Sequence, residues 1–493
     1  MKVVLVLPPA EVVSEKKDTP TYQHVGLGYL AAVLKEQGID VSVVDAKLDR
    51  LDFGQTIKRI MDLKPGMVGV TAMTHEIKMA AALAEEIKKL SPDTFIALGG
   101  VHVTALPEET LKKNEAFDIG VMGEGEILLP ELARLVEKGG RDFSGLAGVA
   151  FRKDGQVVIS GASGKIEELD GLPFPAWELF PRAGDYIIVT SRGCPYSCIF
   201  CMQASGKRVR RRSAPNVVAE MENALALKKP NRFMFFDETF ALDKKRVHDI
   251  CDLLIKKRLN KKIKWSATTR VDSVDKELLQ KMKEAGCDHI EFGVESGNEE
   301  VLKKIKKGIT IEQATNAVKI AKDLDLHTEI GFILGHPDET AETAYQTIYL
   351  ASRLNTNYVQ LGIMVPYPGT EVAEMAQKGL GGYKLLSHNW SDYNKQLGNA
   401  LELKNLSRKD LERIQFAGYL KLFIFNRRYK DLFLFLIDFH REAFAFIRNY
   451  FRKGKTVKPS SVNLALMLKM IFSKSPTLNA KACLPAGRES SNE

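Results

Sequence analysis

The sequence contains no hydrophobic run long enough to cross a membrane. A spanning helix needs about 20 apolar residues, but the run near the amino terminus, Val3 to Leu7, ends at Pro8, and the longest run late in the chain is Leu432 to Ile437. The first of these is also too short to be the apolar core of a secretory signal peptide. We therefore expect a cytoplasmic protein whose thiols are kept reduced.

Cysteine is scarce and unevenly distributed. The chain has six cysteines in 493 residues, and Cys194, Cys198 and Cys201 fall within one stretch of eight residues. So long a chain with so few cysteines is not a disulfide-framework protein. In a reducing compartment, such a cluster indicates a metal centre rather than a disulfide.

The chain also lacks a strong charge of either sign. Its 71 Lys and Arg against 62 Asp and Glu leave a net charge of +9, which is too thinly spread to indicate nucleic acid by itself. Hydrophobic residues make up 45% and charged residues 27%, which is the balance of a folded globular protein. The length predicts about two to four domains.

Residues 1–140 alternate between short apolar strands and helices, which predicts a doubly wound parallel sheet in an α/β domain. Ligands of such sheets bind beyond the carboxyl ends of the strands. No G-x-G-x-x-G fingerprint follows the first strand, so a dinucleotide site is not indicated. The glycines at the other strand ends either cradle a ligand or merely close tight turns. The expected strands are Val3–Leu7, Val41–Asp45, Met67–Thr71, Phe95–Leu98 and Ile119–Met122.

Two segments of this region, Gly99 to Thr104 and Gly123 to Glu126, resemble the cobalamin-binding domain of B12-dependent radical S-adenosylmethionine (SAM) proteins. The D-x-H-x-x-G motif, which supplies a histidine to cobalt in other B12 domains, is absent from the sequence. The nearby imidazoles of His75 and His102 are expected to be polar loop groups rather than cobalt ligands. The resemblance implies that cobalamin binds at the strand ends, through Asp45, Thr71, Thr74, Gly99, Gly100, His102, Gly123 and Glu124.

A connector and a second α/β domain are expected next. Residues 141–182 contain short strand-like pieces and several prolines, which are typical of a connector. Residues 183–372 again alternate strands and helices, with six strand–helix units counted from Tyr186–Thr190. This pattern predicts a partial (β/α)6 version of the eightfold barrel, whose chemistry lies at the carboxyl ends of the strands.

The loop after the first barrel strand carries the clustered cysteines in the spacing C-x3-C-x2-C. A cubane iron–sulfur cluster takes four thiolates, so three from one loop leave the fourth iron without a protein ligand. Structural zinc, the alternative, is held by four ligands, and the flanking candidates, His102 and Cys251, are far away in sequence. The spacing therefore favours a cluster with one open iron.

The segment from Asp185 to Thr370 resembles the radical SAM superfamily. The resemblance implies a 4Fe–4S cluster held by Cys194, Cys198 and Cys201, with the amino and carboxylate groups of SAM at the open iron. Carboxylates at a strand end suit an ammonium group, and an arginine suits a carboxylate. Each charged residue taken singly is more often part of a surface salt bridge, but their shared position at the ends of consecutive strands favours binding. The resemblance assigns SAM binding to Phe200, Asp237, Glu238, Arg270, Glu295, Ser296, Gly331 and Gly335.

The basic run Lys207–Arg212 and the region after the barrel leave alternatives open. The run is interpreted as support for the cysteine loop or contact with an anionic cofactor, in preference to an RNA-binding patch or a solvated face. Residues 373–472 predict helices that either cap the barrel mouth or present a basic amphipathic surface to a membrane or a lipophilic substrate. Residues 473–493 are polar and are expected to be a disordered tail.

The resemblance as a whole implies a cobalamin-dependent radical SAM enzyme, in the first place a methyltransferase acting on an unactivated carbon of a small-molecule substrate. In that scheme SAM is cleaved reductively to a 5′-deoxyadenosyl radical, an external low-potential electron donor is required, and oxygen destroys activity. The competing enzyme hypothesis is a ring-forming enzyme of the magnesium-protoporphyrin monomethyl ester cyclase type. A B12- or RNA-responsive binding protein is the non-enzymatic alternative, and only the basic run supports it.

Overall fold

The computed structural model describes residues 1–10, 21–394, 399–438 and 462–478. These residues form two α/β units followed by a largely helical region, in the order that the sequence predicts. One hydrophobic core continues from the first unit into the second and includes Leu5, Trp177 and Phe233.

The first unit is a doubly wound sheet, as predicted. Its strands are β1 (Val3–Leu7), β2 (Val41–Asp45), β3 (Met67–Thr71), β4 (Phe95–Gly99), β5 (Ile119–Val121), β6 (Val149–Lys153) and β7 (Gln156–Ile159). Its helices are α1 (Val25–Glu36), α2 (Phe53–Asp62), α3 (Ile77–Leu90), α4 (Val101–Ala105), α5 (Pro107–Lys113) and α6 (Leu128–Glu137). The strand order is β2-β1-β3-β4-β5-β6-β7, and β1 to β5 are parallel. All five residues of β1 are buried, because helices cover both faces of a central parallel strand.

The first sheet extends further along the chain than the sequence predicts. β6 and β7 lie in the stretch 141–182, for which the sequence predicts a connector, but they pair antiparallel with β5 and with each other. No helix separates β6 from β7, so the two strands do not continue the strand–helix rhythm on which the prediction depended. The sheet therefore runs to Ile159, beyond the expected boundary at residue 140.

The second unit confirms the predicted partial barrel. Its strands are β8 (Asp185–Ile188), β9 (Ser191–Arg192), β10 (Arg210–Arg211), β11 (Arg232–Phe235), β12 (Lys264–Thr269), β13 (Cys287–Glu295), β14 (His327–Leu334) and β15 (Tyr358–Ile363). Its helices are α7 (Ala214–Lys228), α8 (Lys244–Lys256), α9 (Lys276–Glu284), α10 (Glu299–Lys304), α11 (Ile311–Asp323), α12 (Ala341–Leu354) and α13 (Glu371–Gln377). Six parallel strands follow the order β8-β11-β12-β13-β14-β15, and β9 and β10 form a separate antiparallel pair.

The region after the barrel is mainly helical and also contains a small two-stranded sheet. Its elements are β16 (Tyr383–Leu385), β17 (Leu401–Leu403), α14 (Arg408–Phe425), α15 (Tyr429–Asp438) and α16 (Leu464–Phe472). Ser407 caps α14 through a capping box with Asp410. None of the helices within the described residues has the length and apolar character needed to span a bilayer.

The start of the expected disordered tail is bound to helices α12 and α14, so that prediction is wrong for residues 473–478. Lys421 Nζ donates to the carbonyl oxygen of Ser473 at 2.6 Å. The hydroxyl of Tyr345 donates to the carbonyl oxygen of Ser475 at 3.0 Å. The acceptors are main-chain carbonyl oxygens, which every residue has. The residue types of this polar segment therefore could not predict that it is bound. Residues 479–493 lie outside the described chain, as do 439–461.

A buried charged cluster joins the two units. Arg212 forms an ion pair with Glu220 of α7, and it also donates to the hydroxyl of Tyr29 in α1 at 3.0 Å. Both charged side chains are almost inaccessible to solvent. Burial raises the pKa of Glu220, and the Arg212 charge opposes this effect.

Removing Glu220 is expected to destabilise the protein strongly, because the Arg212 charge would remain buried without its partner. We expect Glu220→Ala to lower the free energy of unfolding by about 3–5 kcal/mol, measured by urea denaturation. Asp249→Ala, which breaks an exposed pair with Lys245, is the control and should change it little. Equal effects of the two substitutions would contradict the structural role of Glu220.

Candidate active site

The cysteine loop lies between β9 and β10, near the carboxyl end of the barrel sheet. Gly193, directly before the first cysteine, has φ +99°, and a Cβ there would collide with a neighbouring carbonyl oxygen. Glycine adopts this conformation without strain. Main-chain hydrogen bonds pin the loop, from Cys194 N to Gly206 O at 3.0 Å and from Ile199 N to Ile305 O at 3.2 Å. The three thiols therefore come from one well-held turn.

The three cysteines suit a cluster better than a single ion. Cys194 and Cys198 are half-buried and Cys201 is exposed. Across the described ranges, no three His, Cys, Asp or Glu side chains are grouped so as to hold one metal ion. A cubane binds each cysteine at a different iron, so its ligands need not converge on one point, whereas structural zinc takes four ligands around one ion. Three thiols from one loop match in number the three corners of a cubane that has one open iron.

Desolvation by the surrounding protein raises the pKa of the Cys198 thiol, and it raises the pKa of the Cys201 thiol to about 12, although Cys201 as a whole residue is exposed. These two thiols are therefore protonated in the absence of metal. The positive charges of Lys307 and Arg270 act on Cys198 in the opposite direction without overcoming burial. Since thiolates are the metal ligands, cluster assembly must release these protons.

Asp237 holds the chain that leads into the cysteine loop. Its carboxylate accepts hydrogen bonds from Thr190 N at 2.6 Å, from the Thr190 hydroxyl at 2.5 Å and from the Ser191 hydroxyl at 2.7 Å. Arg246 lies 3.7 Å away on the other side. The side chain is fully enclosed by these partners, so the contacts that the structure gives Asp237 are structural ones.

The neighbouring carboxylate, Glu238, is exposed at the carboxyl end of β11. One of its oxygens accepts a long hydrogen bond of 3.4 Å from the main-chain N of Gly193. Of the two acidic residues that the sequence assigns to the SAM amine, Glu238 is therefore the one whose carboxylate is available to a ligand beside the cysteine loop.

Arg270 packs directly against the cysteine loop. Its guanidinium carbon lies 3.6 Å from the centroid of the Tyr196 ring. Tyr196 stands between the first two cysteines in the sequence. Asp272 orients the guanidinium through two parallel hydrogen bonds of 2.9 and 2.8 Å. Such a bidentate pair fixes the plane of the guanidinium group, so a positive charge is held in place beside the thiols.

β13 ends in a strained conformation at Glu295. Its φ is +73°, and the register with β14 shifts between Gly293 and Glu295. Left-handed backbone at a non-glycine residue is uncommon and concentrates at functional sites. The Glu295 carboxylate pairs with Lys307 at 2.8 Å, and both side chains are about nine-tenths buried. The lysine is close enough to Cys198 to influence its pKa.

Two further predicted residues lie on the same strands. Ser296 is buried just after Glu295, and its hydroxyl lies 3.3 Å from that of Thr347. Gly331 in β14 is the register partner of Gly293 in β13. Ser296 therefore contacts protein rather than an open surface, while Gly331 leaves space on the barrel side of its strand.

Gly335 and Phe200 lie at the end of β14. The main-chain N of Gly335 donates to the buried carboxylate of Glu339 at 2.5 Å. Burial raises the pKa of Glu339 to about 8. The ring centroid of Phe200, in the cysteine loop, lies 6.4 Å from that of His336. The turn at Gly335 and the cysteine loop are therefore neighbours.

The predicted cobalamin residues of β3 and β4 come together at the carboxyl edge of the first sheet. Thr71 and Gly99 are register partners. Gly100 has φ +99°, and a Cβ there would lie 2.6 Å from the carbonyl oxygen of Ala72, so the two strand ends approach closely only with glycine here. A glycine-lined strand edge of this kind fits a large flat ligand.

His102 is enclosed rather than presented at this edge. Its Nδ1 lies 3.4 Å from the Thr74 hydroxyl, and its ring meets that of Trp390 edge-on at 5.3 Å. Burial lowers the pKa of His102 to about 4, so the ring is neutral at physiological pH. His102 therefore lies against Thr74 and Trp390 within the protein.

Asp45 and Gly123 lie further out along the same edge. Asp45 ends β2 and is buried, and its carboxylate accepts from Leu48 N at 3.1 Å. Burial raises its pKa. Gly123 follows β5, and its main-chain N donates to the Thr104 hydroxyl at 3.0 Å.

Glu124 links the two domains, a contact that the sequence does not reveal. Its carboxylate accepts from both terminal nitrogens of Arg210, at 2.8 and 2.5 Å. Arg192, two residues before Cys194, donates to Glu126 at 2.5 Å and lies 3.5 Å from Glu124. The G-E-G-E segment of the first domain is thus bound to both strands that flank the cysteine loop.

The basic side chains of the run Lys207–Arg212 all have partners within the protein. Arg210 and Arg212 are buried in the ion pairs described above. The remaining members also have partners within the described chain: Lys207 with Ser197, Arg208 with Glu167, and Arg211 with Asp243. These contacts agree with support of the cysteine loop and do not favour an RNA-binding patch.

Three site residues escape sequence reasoning. Lys307 is one of several lysines in Lys303–Lys307, and nothing local distinguishes it from its neighbours. Tyr196 stands between two cysteines, where its ring could have been read as a contact residue. Arg192 precedes the first cysteine by two residues, and its partner, Glu126, is distant in sequence.

Asp237 is expected to control cluster loading through the cysteine loop. Asp237→Asn removes the negative charge that three donors and Arg246 surround, so the loop should lose its fixed position. We expect less iron per chain after anaerobic reconstitution, with near-normal far-ultraviolet circular dichroism. The control is Asp252→Asn, which alters an exposed pair with Lys281; iron content equal to that control would refute the role.

Comparison with known proteins identifies the family. Residues 188–351 match the radical SAM superfamily, and residues 18–133 match the B12 binding domain. An uncharacterized methyltransferase, PH0819, of Pyrococcus horikoshii is 34% identical over 86% of this chain and 93% of its own. The anaerobic magnesium-protoporphyrin IX monomethyl ester cyclase of Rubrivivax gelatinosus is 31% identical over 82% of this chain and 80% of its own.

A solved structure has the same fold. The radical SAM methyltransferase TsrM of Kitasatospora setae, with cobalamin and a 4Fe–4S cluster bound, superposes with a TM-score of 0.68 at 21% identity, covering 84% of this chain and 90% of its own. Two matched domains in one chain, together with a full-length relative above 30% identity, lead to one conclusion: the chain belongs to the family of radical SAM proteins that carry a B12-binding domain.

Proposed function

We propose that this protein is a cobalamin-dependent radical SAM methyltransferase that acts on an unactivated carbon of a small molecule. The observation that carries the proposal is the contact between the two domains beside the cysteine loop. Arg192 and Arg210, on the two strands that flank the loop, bind Glu126 and Glu124 at the end of the B12-binding sheet. The two cofactor edges are therefore held side by side, as transfer between them requires.

The chain offers a group for each part of SAM and the cluster. Cys194, Cys198 and Cys201 would hold three irons, and Glu238 would accept hydrogen bonds from the SAM ammonium group. Arg270 and Lys307 supply positive charge for its carboxylate. When bound, the cluster supplies the electron that cleaves SAM, and cobalamin supplies methyl-transfer chemistry.

The external partners of the proposed reaction follow from its chemistry. The cluster must be reduced by a low-potential electron donor, and a cluster with an open iron is expected to be destroyed by oxygen. A cytoplasmic location would keep the cysteines reduced until iron binds.

Ring formation is the second candidate, because a cyclase relative is 31% identical over most of its length. Both reactions would start with reductive SAM cleavage. They differ in that methylation consumes a second SAM and produces S-adenosylhomocysteine, whereas ring formation does not.

Cluster binding by three cysteines tests the proposal. We expect anaerobic reconstitution to give about four irons per chain and SAM cleavage to 5′-deoxyadenosine under reducing conditions. Cys198→Ala should lose the intact cluster and the cleavage. The matched control is Cys483→Ala, in the region outside the described residues, which should keep both.

Product analysis separates the alternatives. Formation of S-adenosylhomocysteine together with 5′-deoxyadenosine supports methylation, and its absence with active substrate turnover supports ring formation. A Cys198→Ala protein that retained cluster and cleavage would contradict both enzyme hypotheses.

Contact with a membrane surface is a further part of the proposal. α15 leaves Tyr429, Phe433 and Ile437, spaced along one helix face, between 50% and 64% exposed. Arg427 and Lys430 beside them are also exposed. Apolar residues flanked by positive charge suit the surface of an anionic bilayer.

Vesicle sedimentation checks this contact. We expect binding to phosphatidylglycerol vesicles, weaker binding to phosphatidylcholine vesicles, and loss of binding in Phe433→Ser/Ile437→Ser. Exposed Leu227→Ser, on α7, serves as the control. Equal sedimentation with both lipids or with both variants would count against the contact.

A further inference from the structure

The interior of the partial barrel is polar where barrels are ordinarily filled by branched apolar side chains. Along β13, Ile290 and Phe292 are fully buried on the helix side, while Glu291 alternates with them and is only half-buried. In β12 and β14 the residues on the same face are Thr268 and Glu329. The barrel face of these strands therefore carries two carboxylates.

Strand register places these polar groups in one row. Thr268 pairs with Glu291, Glu291 with Glu329, and Glu329 with Tyr358. The Thr268 hydroxyl donates to Glu291 Oε2 at 3.0 Å, and Gln360, two residues after Tyr358, donates to Glu329 Oε1 at 2.5 Å. The row is a connected surface across four strands.

The row has more negative charge than its neighbours neutralise. Glu329 lies 3.3 Å from His289 Nε2, which stacks on Tyr358. Glu291 has no cationic partner within the described chain, and its Oε1 accepts no hydrogen bond there. Burial raises the pKa of Glu291 and the nearby charge of Glu329 raises it further, whereas the Thr268 hydrogen bond and His289 act in the opposite direction.

The next layer toward the cysteine loop contains two glycines. Gly293 and Gly331 follow Glu291 and Glu329 by two residues and are register partners, and Gln360 pairs with Gly331 on the next strand. A Cβ at Gly331 would find its nearest neighbour, a main-chain oxygen, 4.0 Å away, whereas a Cβ at Gly293 would lie 2.6 Å from Glu295 Oε1. The Glu295–Lys307 pair therefore lies directly against Gly293, one layer beyond the carboxylates.

We propose that Glu291 and Glu329 recognise a positively charged organic group of the substrate, such as an ammonium or amidinium. This inference rests on the proposed function, because the reacting carbon must then lie near the strand ends. Glu291 precedes Glu295 by four residues in β13, so the charged group would sit up to about 13 Å below the strand end. A carboxylate at the same depth would be repelled.

Binding of three small probes that share one ring tests the charge preference. Benzylamine carries a cation, benzoate an anion and benzyl alcohol no charge. Each would be titrated by saturation-transfer NMR into anaerobically reconstituted holoenzyme. We expect benzylamine to bind the wild-type protein, with at least tenfold weaker binding in Glu291→Gln and no detectable binding of benzoate.

Two variants keep the test independent of folding. Glu312→Gln changes an exposed carboxylate of α11 in the same domain and should bind benzylamine as the wild type does. If Glu291→Gln does not fold, as judged by circular dichroism, Glu329→Gln takes its place with the same expectation. Failure of benzylamine to bind the wild type, unchanged binding in the folded variant, or equal binding of benzoate would overturn the proposal.

The outcome is separable from that of the proposed function. Probe binding needs neither SAM cleavage nor methyl transfer. Loss of the cation site with intact formation of 5′-deoxyadenosine would refute only the substrate class. Loss of SAM cleavage with cation binding retained would refute only the proposed enzyme.

Discussion

The paired charges between Glu124, Glu126, Arg192 and Arg210 decide how the two domains of this protein meet. All four side chains are largely buried, so separating the domains would leave charges in a low-dielectric contact without partners. Arg210 grips Glu124 through two parallel hydrogen bonds, which fixes orientation as well as distance. Because both arginines flank the cysteine loop, the same contact that joins the domains also supports that loop.

Burial distinguishes the tasks of otherwise similar carboxylates. Asp237 and Glu339 are enclosed by main-chain and hydroxyl donors, and each holds a loop at a strand end. Glu238 is exposed beside the cysteine loop, and Glu291 retains an oxygen without a partner in the described chain. In sequence, all four are acidic residues at or near barrel strands. Only their surroundings separate those that stabilise a turn from those that can receive a ligand.

The errors of sequence reasoning share a physical origin. β6 and β7 lie in the expected connector but belong to the first sheet, because β6 pairs antiparallel with β5 and β7 with β6. With no helix between them, they do not show the strand–helix alternation that marks the rest of the sheet. Ser473 and Ser475 are bound through main-chain carbonyls, which leave no mark on residue type. The contact between the Glu124 carboxylate and Arg210, 86 residues further along the chain, was likewise not foreseen, because its two partners are distant in sequence.

The sequence by itself determined the features whose causes are local. The alternation of apolar strands and helices predicts both parallel sheets, since each element must bury one side. The spacing of Cys194, Cys198 and Cys201 predicts three ligands from one loop, because all three lie within a single turn of chain. The tertiary structure alone decided which charges meet: the pairing of Lys307 with Glu295, the joint between the domains, and the row of Glu291 and Glu329. These contacts depend on strand register and domain packing, which bring together residues that no local pattern connects.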